Sequence, residues 1–131
     1  VRNGGQKMIS VSEEEFTSLM EEALHTIPEP FKSKIENLVF MAEPFPSEAD
    51  LGRVGLSDKY MLLGIYSGVP YTYRNTYYMN TTPDRIILFQ RNIERVCNTM
   101  DELKEKVREV LVHEIAHYFG MDEDEVRAAG Y

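Results

Sequence analysis

The strongest constraint on the fold is a long helix that the sequence predicts in its C-terminal third. Thr99 and Glu102 have the spacing of a capping box, which marks a helix start. Gly120 is a natural residue to follow the helix end, so the expected span is residues 100–119. Because the last two turns are apolar on almost every side, we expect the rest of the chain to bury this helix. Its apolar stripe comprises Leu103, Val107, Val110, Leu111 and Tyr118.

Three polar residues interrupt the apolar end of this helix: His113, Glu114 and His117. Burying a carboxylate and two imidazoles without partners costs several kcal/mol, and a metal ion is a partner that suits all three. His113 and His117 lie one turn apart on one face, so two imidazole nitrogens can reach the same ion. Glu114 lies about 100° further round the helix, within reach of a water molecule on the metal. This is the H-E-x-x-H arrangement of zinc hydrolases.

A hydrolytic zinc site uses three protein ligands and keeps one position open. Gly120 can adopt a positive φ and fold the chain back, which would bring a following carboxylate toward the histidines. The candidates are Asp122, Glu123 and Asp124, and the sequence register favours Glu123. The alternative is structural: Asp122 would cap a last short helix that runs to about Ala129, and the other two acids would stabilise its first turn.

The N-terminal part of the chain predicts a second amphipathic helix. Ser12 and Glu15 form a capping box, and apolar residues then recur at helical spacing until Pro28 ends the pattern. Residues 1–8 have no periodicity, and we expect them to be a flexible or artificially added tail. The ordered domain is expected at 9–131.

Apolar runs and chain-breaking residues divide the middle of the sequence. Residues 43–56 are rich in proline, glycine and acidic residues, which predicts a loop with no regular structure. No internal repeat or linker splits the chain. The expected elements are a short helical turn at 30–36 and strands at 37–42, 60–66 and 85–90.

Composition narrows the partners and the compartment. The chain has 131 residues, enough for one domain whose core needs no disulfide or structural metal. Its net charge of −8 disfavours binding to nucleic acid or to an anionic membrane surface. No apolar run approaches the roughly 20 residues that span a bilayer. Because Cys97 is the single cysteine and no export signal is visible, a cytoplasmic location is expected.

The string HEIAHYFGMDE at residues 113–123 resembles the extended zincin motif H-E-x-x-H-x-x-G-x-x-(H/D). The strings LLGIYSGVP at 62–70 and PDRIILFQR at 83–91 are similar to those of the small bacterial minimal zincins, a zincin-like metallopeptidase family of one-domain proteins. The resemblance implies an α+β fold: a zincin-like minimal single domain with a small mixed sheet and an active-site helix.

The resemblance also implies a chemistry. His113 and His117 would be Zn²⁺ ligands, Glu123 would occupy the third-ligand position, and Glu114 would be the general base. Two positions depart from the common family pattern. Tyr118 stands where a second histidine commonly follows the second ligand, and Glu123 stands where aspartate is common.

Three functions are consistent with these features. The leading hypothesis is a zinc-dependent hydrolase of the metallopeptidase class that cleaves peptides or proteins, with Glu114 as the base. The second is a metal- or peptide-binding module that keeps the zincin fold but has little proteolytic activity. The third, a metal-dependent nuclease, is disfavoured by the net charge of −8.

Five tyrosines are candidates either for lining a substrate cleft or for packing a loop: Tyr66, Tyr71, Tyr73, Tyr77 and Tyr78.

Overall fold

A computed structural model describes residues 9–29, 31–68 and 84–131 of the chain. The predicted tail at 1–8 and residues 69–83, which include four of the five candidate tyrosines, lie outside these described residues. No helix within the described ranges is long and apolar enough to cross a membrane. The helices found there are α1 (Glu13–His25), α2 (Phe31–Lys34), α3 (Glu48–Val54), α4 (Gln90–Arg95), α5 (Met100–Tyr118) and α6 (Glu123–Ala128). The strands are β1 (Leu38–Glu43), β2 (Gly64–Ser67) and β3 (Asp84–Phe89).

The three strands form one mixed sheet with β3 in the centre. β1 runs parallel to β3, and β2 runs antiparallel to it. Successive side chains of β3 point to opposite faces. Ile86 and Leu88 belong to the main core, whereas Ile87 and Phe89 form a smaller cluster with Ile65. The expected α+β fold with a small mixed sheet is therefore confirmed.

The main core lies between one face of the sheet and two helices, α1 and α5. The two helices pack against each other, α1 also contacts β1, and α5 contacts β2 and β3. Phe16 of α1 is completely buried, as are Leu103, Val107 and Leu111 of α5. Since these α5 residues are the predicted stripe, the amphipathic pattern correctly identifies the buried face of the helix.

Side chains at the helix ends explain where the helices begin. Ser12 and Glu15 form the predicted capping box of α1. At α5 only half of the predicted box is present, because Thr99 accepts a hydrogen bond from the Glu102 N–H while the Glu102 carboxylate accepts one from the Asn98 N–H. α5 ends at Tyr118, one residue before the predicted end.

The prediction of an irregular loop at 43–56 is wrong, because this segment contains α3. Ser47 and Asp50 form a capping box at its start, and Gly55 ends it with a φ of 73°. Pro46 stands immediately before the cap and Pro44 two residues earlier, where proline does not interfere with the helix that follows. Because the segment is rich in proline and glycine and α3 is only 7 residues long, the sequence pattern does not reveal this helix.

The predicted strand at 60–66 is wrong at its start, because β2 begins at Gly64. Directly before β2, the Leu63 carbonyl still accepts a hydrogen bond from the Phe89 N–H of β3 at 2.9 Å, but the residues before Leu63 are held by a side chain. Asn92 of α4 is completely buried, and its Nδ2 donates hydrogen bonds to the carbonyl oxygens of Lys59 and Leu62. An amide with two N–H donors can satisfy two backbone acceptors in this way.

The sequence also fails to predict α4, which follows β3 directly. A buried network fixes this helix against the residues before α1. The Glu94 carboxylate accepts hydrogen bonds from the Val11 N–H at 3.0 Å, from Gln90 Nε2 at 3.0 Å and from Arg91 Nη1 at 2.7 Å. Because the buried carboxylate has several donors, its desolvation is compensated and α4 has a defined position.

Candidate metal centre and cleft

α5 and β2 approach each other closely at the C-terminal half of α5. A Cβ placed on Gly64 would lie 2.7 Å from Val110 Cγ1 and 3.5 Å from Glu114 Cγ. The first distance is too short for two carbon atoms, so a side chain at Gly64 would push the strand away from the helix. Glycine at this position therefore allows β2 to contact the helix that carries Glu114.

Gly64→Ala is expected to destabilise the fold by about 1–3 kcal/mol, because the added methyl group overpacks the interface between β2 and α5. The midpoint of urea unfolding measures this change. Gly52→Ala in α3 is the matched control, since a Cβ there meets nothing within 4 Å. The control should stabilise α3 by about 0.5–1 kcal/mol. Equal midpoints for the two variants would contradict the close approach.

The two histidines of α5 direct the same ring atom toward one point. The Nε2 atoms of His113 and His117 each lie 2.9 Å from Glu123 Oε1. On the other side of each ring, His117 Nδ1 lies 2.8 Å from the Met121 carbonyl oxygen and His113 Nδ1 lies 3.5 Å from that of Tyr131. A carbonyl accepts an N–H, so these contacts favour Nδ1–H and leave the Nε2 lone pairs available for a metal.

Glu123 reaches the histidines because the chain turns sharply after α5. Gly120 has a φ of 93°, which L side chains rarely adopt, and the Met121 N–H bonds back to the Ala116 carbonyl. Asp122 then caps α6, with its side chain accepting from the Glu125 N–H at 2.8 Å. Of the three predicted acids, Glu123 thus meets the imidazoles, while Asp122 has the structural role of the alternative hypothesis and Asp124 is exposed on α6.

The charges of this cluster influence one another. The hydrogen bond with His113 is the main reason that the pKa of Glu123 lies below its usual range, and the bond with His117 acts in the same direction. Burial by itself lowers the pKa of His113, but the hydrogen bond with Glu123 and the neighbouring carboxylate charges outweigh burial and raise the pKa overall. In the absence of a metal, the Glu123 carboxylate therefore favours the protonated form of His113.

The donor set fits a zinc ion. Ligand atoms 2.0–2.2 Å from a tetrahedral Zn²⁺ are roughly 3.3 Å apart, only a few tenths of an ångström more than the 2.9 Å between Glu123 Oε1 and each Nε2. Two imidazoles and one carboxylate are also a ligand set of catalytic zinc sites.

Glu114 lies beside this cluster but in a different environment. It is only 8% exposed, and its carboxylate accepts a hydrogen bond from the Tyr66 N–H of β2. Burial raises the pKa of Glu114, while the adjacent His117 and His113 lower it by a smaller amount. Glu114 and the two histidines offer ligand atoms that all lie within 4.8 Å of one another. A buried carboxylate at this distance can exchange protons with a molecule bound between the histidines.

An open cleft of about 910 Å³ borders the cluster. The lining residues before and in β2 are uncharged and mostly apolar, whereas α5, α6 and the residues around α6 contribute all the charged groups together with Val110, Met121 and Tyr131. The cleft residues also include Gly64 and Tyr66. Since the Leu63 carbonyl accepts from the Phe89 N–H, alternate residues of β2 face β3, and the main-chain groups of Gly64 and Tyr66 point away from it.

Comparison of the sequence with models of known protein families identifies the family of this chain. The family model of the zincin-like metallopeptidases matches residues 35–131. The chain belongs to the zincin-like metallopeptidase family. No curated protein gives a significant match to the sequence. Membership implies a divalent metal, typically zinc, and in this zincin-like chain His113, Glu114 and His117 form a group that could hold one.

In this zincin, Tyr118 and Tyr66 belong to the elements that carry the site, and both form hydrogen bonds to neighbouring segments. Tyr118, which replaces the second histidine of the common pattern, is completely buried, and its hydroxyl bonds to the Glu36 backbone at 3.1 Å. The Tyr66 hydroxyl donates to Asp84 at 2.8 Å, and its ring packs edge-on against Tyr118. The Tyr66 hydroxyl therefore has a structural partner, while the other four candidate tyrosines lie outside the described residues.

Sequence reasoning missed several groups that shape this zincin site. Most are backbone groups, namely the carbonyls of Met121 and Tyr131 and the N–H of Tyr66, and such groups leave no residue-type signal. Gly64 did leave one, because a glycine inside an apolar strand pattern indicates close approach of another backbone or helix. Cys97 is buried and burial raises the pKa of its thiol, which agrees with a structural role.

Proposed function

We propose that this zincin-like chain is a zinc-dependent peptidase, in which His113, His117 and Glu123 hold the metal and Glu114 is the general base. The observation that supports it most strongly is the convergence of both Nε2 atoms on Glu123 Oε1 at 2.9 Å, with a buried carboxylate beside them. A Zn²⁺ ion held there supplies Lewis-acid activation of a water molecule and of a carbonyl group.

The protein groups around the metal have separate tasks. The carbonyls of Met121 and Tyr131 keep the imidazole rings oriented by accepting from Nδ1. The Glu123 carboxylate contributes one negative charge, because its lowered pKa keeps it ionised at neutral pH. These interactions hold the donors in place before the metal binds, which reduces the reorganisation that binding requires.

Glu114 moves the protons of the reaction. Its raised pKa, caused mainly by burial, brings it nearer to neutral pH, where a carboxylate can both accept and return a proton. It takes a proton from the attacking water and delivers it to the nitrogen of the leaving amine. The hydrogen bond from the Tyr66 N–H holds the carboxylate, which lies within 4.8 Å of the ligand nitrogens of His113 and His117.

An extended peptide is the substrate that suits the shape of this cleft. The main-chain groups of Gly64 and Tyr66 point away from β3 and line the cleft, so a peptide can bind along β2 as an added strand. Because Glu114 accepts from the Tyr66 N–H, the groups left for the peptide are the Tyr66 carbonyl and the main-chain groups of Gly64, and these lie next to the catalytic base. A peptide or protein is therefore the proposed substrate.

Metal analysis combined with a peptidase assay tests the proposal. We expect protein purified without a histidine tag to contain about one zinc per chain. It should cleave internally quenched fluorescent peptides, lose this activity with a chelator and regain it when zinc is added. Zinc binding without cleavage across a broad peptide set would favour the metal- or peptide-binding module instead. The absence of zinc binding would refute both the zinc peptidase and a metal-binding module, and would leave only a peptide-binding module.

A further inference from the structure

Large apolar side chains are exposed along one side of the cleft. Met61 is 66% exposed, Val54 is 43% exposed and Leu56 is 38% exposed, and all three line the cleft together with partly buried Leu62. We call these four residues the apolar wall. Single exposed apolar residues are ordinary on a protein surface, but several that line one cleft indicate a binding site for an apolar group.

The opposite side of the cleft has a different character. It carries Lys106 and Glu109 of α5, which form an ion pair at 3.1 Å, and Arg127 of α6, which lies 3.4 Å from Glu123. The charged residues of the lining all belong to α5, α6 and the turn between them, where Val110, Met121 and Tyr131 add apolar surface, whereas the lining residues before and in β2 carry no charge. A ligand with one large apolar group and a polar backbone matches this division.

The apolar wall is close to the candidate catalytic groups. Met61 and Leu62 directly precede Leu63 and Gly64 in the sequence. Gly64 lies against the side chain of Val110 and the Cγ atom of Glu114. At about 3.3 Å per residue, Met61 is no more than roughly 10 Å along the chain from Gly64. A peptide that pairs with β2 at Gly64 can therefore place a side chain near the scissile bond on the wall.

Hydrogen bonds hold the wall in its position. Buried Asn92 binds the carbonyls of Lys59 and Leu62, which flank Met61. The Met61 N–H donates to the Asp58 carbonyl at 3.1 Å, and the Leu56 N–H donates to the Leu51 carbonyl at 3.0 Å. Since the backbone is fixed before a ligand arrives, binding an apolar side chain there requires little ordering of the protein.

We propose that the apolar wall is a specificity site, which binds a bulky aliphatic or aromatic side chain of the peptide substrate close to the bond that is cleaved. This inference rests on the proposed peptidase function. A Leu or Phe side chain that becomes buried on the wall should raise kcat/KM by about ten- to a hundredfold over alanine at the same position. Aspartate at that position should be the poorest substrate, because it meets no basic residue among the four of the wall.

Peptides that differ at a single position test the specificity. Zinc-loaded protein is assayed with internally quenched peptides that carry Leu, Phe, Ala or Asp at each position around the cleaved bond. Leu56→Lys combined with Met61→Lys should reduce the Leu-to-Ala ratio of kcat/KM by about tenfold or more, mainly through KM. Val96→Lys is the matched control, because Val96 is 56% exposed but does not line the cleft. The control should keep the wild-type ratio.

A binding measurement separates this inference from the peptidase proposal. Zinc-loaded Glu114→Gln protein is titrated into fluorescently labelled Leu and Asp peptides, and anisotropy reports affinity without turnover. Tighter binding of the Leu peptide, lost in the double lysine variant, supports the apolar wall even if no peptide is cleaved. Cleavage without side-chain preference, or a preference that the double variant retains, overturns the inference and leaves the peptidase proposal standing. Equal binding of the two peptides without cleavage overturns the inference as well.

Discussion

Glu114→Gln is expected to lower kcat by about 10²–10⁴-fold while zinc stays bound, because the amide cannot accept the proton of the attacking water. Glutamine has nearly the same shape, so it can keep the contact with β2 near Gly64. Its carbonyl oxygen can also still accept the hydrogen bond from the Tyr66 N–H. The fold and the metal content should therefore change little.

Single-turnover kinetics, metal analysis and urea unfolding of the same preparation measure these effects. Glu105→Gln is the matched control, since Glu105 is exposed on α5 and its replacement removes the same charge from the same helix. The control should retain wild-type kcat. Wild-type turnover in Glu114→Gln protein would refute the role of Glu114 as the base.

His113→Ala combined with His117→Ala is expected to abolish zinc binding. Changes in groups that only orient a metal ligand already cost about 10–100-fold in affinity, so removal of two direct ligands should cost far more. The fold should survive, because the core between the sheet, α1 and α5 consists of apolar side chains and includes none of the proposed metal ligands. Zinc should raise the Tm of the wild-type protein by mass action and leave that of the double variant unchanged.

Equilibrium dialysis against zinc and thermal unfolding with and without zinc provide the two readouts. His25→Ala is the control, since His25 is the third histidine of the chain and is exposed in the last turn of α1. It should bind zinc as tightly as the wild type. Full zinc occupancy in the double variant would place the metal elsewhere and contradict the proposed ligand set.

The sequence predicts those parts of the structure that are determined locally. The capping boxes of α1 and α6 and the apolar stripe of α5 depend on residues three or four positions apart, and all are found in the structure. The pairing of His113 with His117 follows from the helical repeat in the same way. The start of β2 could not be predicted, because the carbonyls of Lys59 and Leu62 before it are bound by Asn92, about 30 residues away in sequence.

The identity of the third proposed metal ligand could be predicted only in part from the sequence. Asp122, Glu123 and Asp124 are chemically similar, and the register alone favours Glu123. What separates them in the structure is the turn at Gly120, which makes Asp122 the helix cap and directs Glu123 back to the histidines. The direction of a side chain after a turn depends on backbone angles that residue types do not specify uniquely.

A bacterial origin and a cytoplasmic location stay predictions.

The three proposed metal ligands come from one short stretch of chain, whereas the environment of Glu114 does not. His113 and His117 lie 10 and 6 residues from Glu123, so a loop of low entropic cost brings them together. Glu114 instead needs β2, which approaches α5 from a distant part of the sequence. During folding, metal capture therefore requires only local order, while a working catalytic base requires the completed tertiary structure.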